Sequence, residues 1–317
     1  MLGAGPGDRG SYGDGASERF DARRRGDRSA TLRRPPALDR AGRPRYAHGV
    51  PDLGRFISAP LVKRTALDAG YHVLQFGLDE ALVALPGQFV MMRGEGWGTA
   101  PLLPRPMSIL DSGRELSVLV KVAGVGTARM ASCPLGERFE LLLPLGRPFG
   151  ALPAEHTAVL VAGGVGVAPL VCLAERLAQR GTAGVVSLYG GRTARDLPLV
   201  ERLAASSTLE IATEDGSRGT QGRVTVLVER LLERARAEGT NVMLFTCGPH
   251  RMMAAVAELA ARFGAPCEAS LEAPMGCGYG VCLGCPVAKK AGGYLYTCVD
   301  GPCVDASVVD WTREVFA

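Results

Sequence analysis

Val159-Leu-Val-Ala-Gly163-Gly164-Val-Gly166-Val-Ala-Pro169 reads as a continuous apolar strand that runs into a glycine turn and then a helix with proline in its first turn. A strand without polar alternation is one buried on both faces, as in a parallel sheet covered by helices. The turn would let a pyrophosphate approach backbone N–H groups at a helix N-terminus, where the dipole favours negative charge. The run is not a full G-x-G-x-x-G, and no acidic ribose partner is placed, so a turn that serves only strand–helix packing stays open beside the nucleotide reading. Residues 157–174 are uncharged over nearly a membrane span, but Gly163, Gly164, Gly166 and Pro169 interrupt the run, and no membrane attachment is expected.

On its C-terminal side the same alternation continues: a helix over 170–180, a strand over 185–189, a helix over 224–237, a strand over 242–246 and a helix over 252–263. Strands alternating with helices predict a Rossmann-like parallel sheet over residues 153–266. Cys247-Gly248-Pro249 follows a strand and would lie at the sheet edge where open α/β folds bind ligands. Arg192 and Arg195, after the second strand, face either a phosphate or solvent.

On the N-terminal side, residues 54–152 show short strands (71–76, 116–122, 139–143) parted by turns, the pattern of an antiparallel sandwich or small barrel. Pro104, Pro106, Pro134, Pro144 and Pro148 are expected at turns or edges, where a missing N–H is tolerated. Arg105-Pro106-Met107-Ser108 places a guanidinium and a hydroxyl on a rigid extended segment, suited to a phosphate or flavin edge. Gly124-Val-Gly126-Thr127 offers N–H groups and a hydroxyl at the start of a helix. Taken alone, either motif is equally a turn or a cap.

Residues 267–317 form a third block, rich in Gly and Cys, that would have trouble building its own core without a bound metal centre. Cys277-Gly-Tyr-Gly-Val-Cys282-Leu-Gly-Cys285 has the C-x4-C-x2-C spacing of plant-type [2Fe–2S] ligation, and Cys298 is placed to close the set. Structural zinc is the first competing reading, though zinc sites usually pair two short cysteine hairpins whereas three ligands share one loop here. A redox dithiol at Cys282 and Cys285 is the second, and it leaves Cys277 unexplained. Cys303 is a possible substitute for Cys298. The scattered Cys133, Cys172, Cys247 and Cys267 read as small buried residues.

Residues 1–50 hold eleven arginines against six acidic residues, a larger excess than the +4 of the whole chain, so the remainder has no basic face for nucleic acid. With no apolar period, this segment is expected to be a disordered basic extension or the product of a mistaken start codon. No apolar stretch follows its arginines before Tyr46, which argues against an export signal and for a cytoplasmic protein. Nine cysteines in such a compartment argue against a disulfide scaffold.

Taken in order, R-P-x-S, the G-T loop, G-G-x-G and C-G-P resemble the ferredoxin–NADP reductase superfamily. Ser270-Leu-Glu272-Ala-Pro-Met275-Gly-Cys277-Gly-Tyr-Gly-Val-Cys282-Leu-Gly-Cys285, then Cys298-Val-Asp-Gly-Pro302, resembles more closely the electron-transfer subunits of NAD-dependent, two-subunit dihydroorotate dehydrogenases, over residues 54–317. The resemblance implies a multidomain β plus α/β protein: an antiparallel FAD-binding β-barrel at 54–152, the NAD-binding domain at 153–266 and a small [2Fe–2S] domain at 267–317. It implies that Arg105, Pro106, Met107, Ser108, Leu119, Val120, Lys121, Gly126 and Thr127 contact FAD, and that Gly163, Gly164 and Gly166 surround the NAD phosphates, with Cys247, Gly248 and Pro249 nearby. Cys277, Cys282, Cys285 and Cys298 would ligate the cluster; the D-G-P after Cys298 favours it over Cys303.

The implied function is an oxidoreductase subunit that passes electrons from an FMN-containing, dihydroorotate-oxidising partner through [2Fe–2S] and FAD to NAD+ in pyrimidine biosynthesis. The implied assembly is a heterotetramer with two copies of each subunit, and no acid–base or nucleophilic catalytic residue is expected in this chain. Ala273 and Pro274 stand where a glutamate and a basic residue are often found, which leaves the docking surface open. One rival is the flavin and [2Fe–2S] subunit of a ferredoxin:NADP oxidoreductase or hydrogenase-type complex. In the ferredoxin:NADP oxidoreductase type an aspartate commonly replaces the first cysteine, so Cys277 argues against it. The other is a zinc-stabilised, non-catalytic regulatory protein.

Overall fold

The structure, a computed structural model, describes residues 54–313, so the extension expected over 1–50 lies outside the described residues. Six strands, β1 (Arg55–Ala66), β2 (Tyr71–Gly77), β3 (Phe89–Gly94), β4 (Arg105–Asp111), β5 (Glu115–Lys121) and β6 (Arg138–Leu145), close an antiparallel barrel. Their order is β1-β2-β5-β4-β3-β6, with β6 returning to β1. Helix α1 (Val125–Ser132) follows β5 in the chain. Alternation drives the closure: Val90, Met92, Phe139, Leu141 and Leu143 point into the barrel core. Phe76 and Trp97 pack edge-on against Phe139 at 5.0 and 5.4 Å.

Two prolines depart from expectation. Pro106 lies within β4, opposite Met91 on one side and unpaired on the other, and Pro144 lies within β6, which is paired with β1 and β3. The ladder between β3 and β6 slips between Phe89 and Met91 next to Pro144. A bulge of this kind absorbs the missing N–H and turns Leu145 to the outer face, although Leu143 faces in.

The second half is a seven-stranded sheet, ordered β10-β9-β8-β7-β11-β12-β15. Its strands are β7 (Thr157–Gly163), β8 (Val186–Gly191), β9 (Thr208–Thr213), β10 (Thr220–Gln221), β11 (Val242–Cys247), β12 (Cys267–Ser270) and β15 (Cys303–Asp305). All pairings are parallel except that of β12 with β15. Helices α2 (Val167–Gln179) and α3 (Val200–Ser206) share one core with Tyr71, Leu110, Leu119 and Phe149 of the N-terminal half. Helices α4 (Thr225–Glu238) and α5 (His250–Phe263) cover the other face. Being covered twice, β11 is buried at every residue and β7 at all but the first. Helix α2 begins at Val167, three residues earlier than its apolar spacing predicts, because Pro169 fits a first turn.

The strand order reverses at β7, which lies between β8 and β11. In such sheets ligands bind outside the carboxyl ends of the strands at this switch point.

Between β12 and β15 the chain leaves the sheet and carries only a small hairpin, β13 (Pro286–Ala288) with β14 (Tyr294–Tyr296). It borrows its core: Met275, Cys285 and Cys298 pack against Phe89, Met91 and Leu145 on the outside of the barrel. Arg147 fastens the two, donating from its backbone N–H to the Gly301 carbonyl at 2.5 Å and from Nε to the Val299 carbonyl at 3.1 Å.

Candidate functional site

The ends of β7 and β11 sit side by side at the switch point, so the loops that follow them touch. A Cβ on Gly166 would lie 2.4 Å from the Cys247 carbonyl oxygen, so only glycine permits this approach. The packing reading of the turn thus accounts for Gly166 on its own. Across from these loops, β4 pairs with β5 only at Ile109 and Asp111. Beyond that point β5 continues to Lys121 along β2, while Arg105, Pro106 and Met107 pair with β3 alone. The two strands splay, leaving facing backbone edges available to a flat ligand.

A cleft of about 720 Å³ fills this gap, lined by Arg105, Pro106, Met107, Ser108, Leu119, Lys121 and Thr127 from the barrel side, by Cys247 and Gly248 from the sheet and by Glu272 and Met275 from the C-terminal segment. Motifs from all three sequence blocks thus meet at one place. Val120 does not reach it: its side chain is in the barrel core and its backbone pairs with His72. Gly126 lies just behind, where a Cβ would meet the Arg105 guanidinium at 2.9 Å. From the first loop Val165, and from α2 Ala168, line the cleft, whereas Gly163, Gly164, Gly166 and Pro249 do not. A larger hollow of about 1030 Å³ beside α5 holds none of the predicted site residues.

Lys121 bridges the two halves. Its ammonium donates to the Tyr71 hydroxyl at 3.1 Å and to Asp196 at 3.3 Å, and burial of the amine is outweighed by these two partners, so its pKa rises. Thr127 caps its own turn, accepting from Ala123 and Gly124 N–H groups. Arg192 and Arg195 are exposed and paired with Asp196 and Asp68, at 3.8 and 3.7 Å, as solvated surface ions. Sequence reasoning missed Glu272, whose carboxyl is pushed up by surrounding protein. The open cleft still gives its side chain solvent contact, so the push acts in full only when the cleft is filled. The sequence motif Ser270 to Cys285 contains Glu272 but gave it no role.

The cysteines form two pairs. Cys277 accepts N–H groups of Tyr279 and Cys282 at 3.5 Å each; against the opposing effect of burial these lower its thiol to about 7. Cys285 and Cys298 are 3.3 Å apart, with burial and each other's sulfur raising the Cys298 thiol. Among the described residues no three metal-ligating side chains converge on a single point. Two thiol pairs, with three of the four sulfurs on one glycine-rich loop and Cys298 just beyond β14, and with Gly284 N–H aimed at Cys282 Sγ at 3.4 Å, suit a binuclear cluster whose sulfurs attract N–H donors. Gly278, at φ +82°, brings the loop against Met91, where a Cβ would be 2.3 Å from its Cγ. Cys303 is elsewhere, paired with Ser270 across β12 and β15, and deeply buried.

A flavin-type barrel joined to a switch-point α/β sheet, with a cysteine loop at their junction, defines a reductase of the ferredoxin-reductase class carrying its own cluster-binding segment. Residues 272–310 match the iron-sulfur cluster binding domain of dihydroorotate dehydrogenase B, and residues 160–258 an oxidoreductase NAD-binding domain. The dihydroorotate dehydrogenase B (NAD(+)) electron transfer subunit of Geobacillus kaustophilus is 40% identical over 234 residues, 71% of this chain and 86% of that one. That of Geobacillus thermodenitrificans is 36% identical over 268 residues, 81% and 99% of the two chains. This chain belongs to the family of dihydroorotate dehydrogenase B electron transfer subunits.

Among solved structures, an NADH-dependent reduced ferredoxin-NADP oxidoreductase studied for flavin-based electron bifurcation superposes with a TM-score of 0.69 at 26% identity, over 80% of this chain and 90% of that one. The ferredoxin reductase of carbazole 1,9a-dioxygenase shares the fold, with a TM-score of 0.60 at 21% identity over 67% and 66%. Among the described residues no helix is long and apolar enough to cross a membrane.

Proposed function

We propose that this chain is the electron-transfer subunit of an NAD-linked dihydroorotate dehydrogenase, passing electrons from an FMN-containing, dihydroorotate-oxidising partner to NAD+ in pyrimidine biosynthesis. The reading includes a cytoplasmic heterotetramer with two copies of each subunit. The observation that carries it is the pair of cysteine pairs, inside the segment matched to the family's cluster domain and beside the splayed strands. When bound, the [2Fe–2S] cluster carries one electron at a time, FAD exchanges one or two, and the nicotinamide takes a hydride.

Cys277, Cys282, Cys285 and Cys298 hold the cluster. Arg105 and the N–H groups around Gly126 and Thr127 bind the FAD phosphates, while the free strand edges of Pro106, Met107 and Ser108 and of Leu119 and Lys121 orient the ring. The touching loops around Gly163, Gly164, Gly166, Cys247, Gly248 and Pro249 receive NAD. The three functional stretches are 54–152, 153–266 and 267–317; β12, at the start of the third, is built into the nucleotide sheet. The test is activity of the isolated, cofactor-loaded subunit. It is expected to reduce an artificial dye with NADH and to leave dihydroorotate untouched until the catalytic subunit is added. Oxidation of dihydroorotate by the chain alone would overturn the reading.

A further inference from the structure

Lys121 is the last residue of β5, and it stands on the wall of the cleft that the proposed function gives to the flavin. Among the described residues one carboxylate lies within ion-pairing distance of its ammonium, that of Asp196 at 3.3 Å. The two come from different halves, Lys121 from the barrel and Asp196 from the loop after β8. Tyr71 is the ammonium's other partner, with its hydroxyl at 3.1 Å and its ring centroid at 4.6 Å.

The local sequence holds Asp196 in place. Thr193 Oγ1 accepts the Arg195 N–H at 3.2 Å, and the Asp196 N–H donates to the Thr193 carbonyl at 3.0 Å, closing a single 3-10 turn over Ala194–Asp196. The Asp196 side chain is 12% exposed and that of Lys121 32%, so water screens their attraction only in part. Two further groups face the carboxylate. The Thr193 hydroxyl donates to Oδ2 at 3.4 Å, and the Arg192 guanidinium lies 3.8 Å from the same oxygen but is largely in solvent. Tyr189 is near enough for Tyr71 and Asp196 to add to burial in pushing its phenol up, and it donates to the Gly164 and Pro198 carbonyls. Tyr71 bounds the same loop, since a Cβ on Gly164 would lie 3.2 Å from its hydroxyl. One polar cluster thus joins the flavin strand to the glycine loop.

A plain tie between the halves does not account for this pair. Arg202 already supplies one, with bonds to Asp111 and Glu175, whereas the Lys121 pair has a single contact and one end on the cleft wall. Asp196 itself does not line the cleft. We infer that Asp196 is a positioning residue for the redox centre: it tethers the Lys121 ammonium toward the nucleotide-binding half and so limits the positive charge that the flavin meets. This rests on the FAD site of the function proposed above. Electrons arriving on the ring are stabilised by a neighbouring cation. A carboxylate bonded to that cation draws it back and cancels part of its field, so the chain keeps its flavin a weaker oxidant than an untethered lysine would.

The experiment reads the ratio of reduced to oxidised flavin in the FAD-loaded full chain, at solution potentials fixed by mediator dyes. The parent is compared with Asp196→Asn, with Lys121→Met and with the double variant. Asp196→Asn is isosteric and leaves the ammonium a hydrogen-bond acceptor. It is expected to raise the ratio about tenfold at a given potential, which is about 30 mV for a two-electron couple. Lys121→Met is expected to lower it. In the Lys121→Met background Asp196→Asn is expected to shift the ratio about threefold or less, because the carboxylate has lost the group through which it acts. An unchanged or lowered ratio in Asp196→Asn, or an equal rise with and without Lys121, would overturn the inference and leave the flavin site standing. Release of flavin by Asp196→Asn, with Lys121→Met still loaded, would overturn it as well, by showing a purely structural tie. An unmodified chain that takes up no flavin would sink the proposed function with it.

Discussion

Cys298 and Cys303 are five residues apart and equally buried, yet the fold gives them different work. Cys298 faces Cys285, while Cys303 is held between strands with its thiol pushed far above the usual range by burial. Cys298→Ser is expected to lose most bound iron and Cys303→Ala to retain it, as an iron assay on anaerobically purified protein would show. Equal loss from both would remove the assignment of the fourth ligand. Glu272 titrates in the opposite sense to a salt-bridged acid. With the cleft filled, burial raises its folded pKa, so the native state then holds the proton more tightly than the unfolded chain. Its contribution to stability is therefore greatest below the ordinary carboxylate range and is lost as pH rises from there through the folded value. Thermal melts of the flavin-loaded chain between pH 4 and 8 are expected to show this loss as a difference between the parent and Glu272→Gln that changes with pH. Parallel profiles would mean that the carboxyl is fully hydrated. Glu272 was legible as part of the Ser270 to Cys285 motif, but its place on the cleft wall was not, because segments from all three sequence blocks form that wall.

At the scale of elements, the splayed β4 and β5 and the touching loops after β7 and β11 do the positioning. Arg105→Ala removes a guanidinium placed to make a charge-assisted bond to phosphate, and is expected to weaken FAD binding roughly 10- to 100-fold in titrations of the flavin-free protein. An unchanged affinity would place the phosphates elsewhere. Gly166→Ala forces a Cβ against the backbone of Cys247 and Gly248. Overpacking at a rigid contact is expected to cost about 1–3 kcal/mol, read as a fall of several degrees in melting temperature. A variant as stable as the parent would show the loops to be pliable. The strands of the nucleotide sheet were legible because burial on both faces leaves uninterrupted apolar runs, as in Val159 to Ala162. In the barrel, β1 hides its alternation behind Pro60, Lys63 and Arg64, and the prolines of β4 and β6 read as breaks where the structure has strands.

In the whole molecule, cross-links hold the barrel to the nucleotide sheet across the cleft. Arg202 of α3 grips Asp111 of β4 at 2.7 Å and Glu175 of α2 at 2.8 Å, and Lys121 reaches Asp196. Such ties keep the walls of the cleft in register, which suits a protein whose task is to hold redox groups at fixed separation. The two pairs that join the halves, Lys121 with Asp196 and Arg202 with Asp111, lie 75 and 91 positions apart, a pairing that no local pattern announces. The same holds for β12 and β15, which enclose the cysteine segment and bind it to the sheet. The cysteine spacing itself was fully legible, because C-x4-C-x2-C is a local property of one loop and its chemistry does not depend on distant strands. The central claim, that this loop holds a [2Fe–2S] cluster beside a flavin, is tested most directly by the visible spectrum of anaerobically purified protein before and after NADH, with iron and zinc measured on the same sample. The account predicts flavin bands near ~450 nm over iron–sulfur absorption, both bleaching with NADH, at about two irons per flavin. A colourless protein with one zinc and no flavin, even after reconstitution, would contradict it.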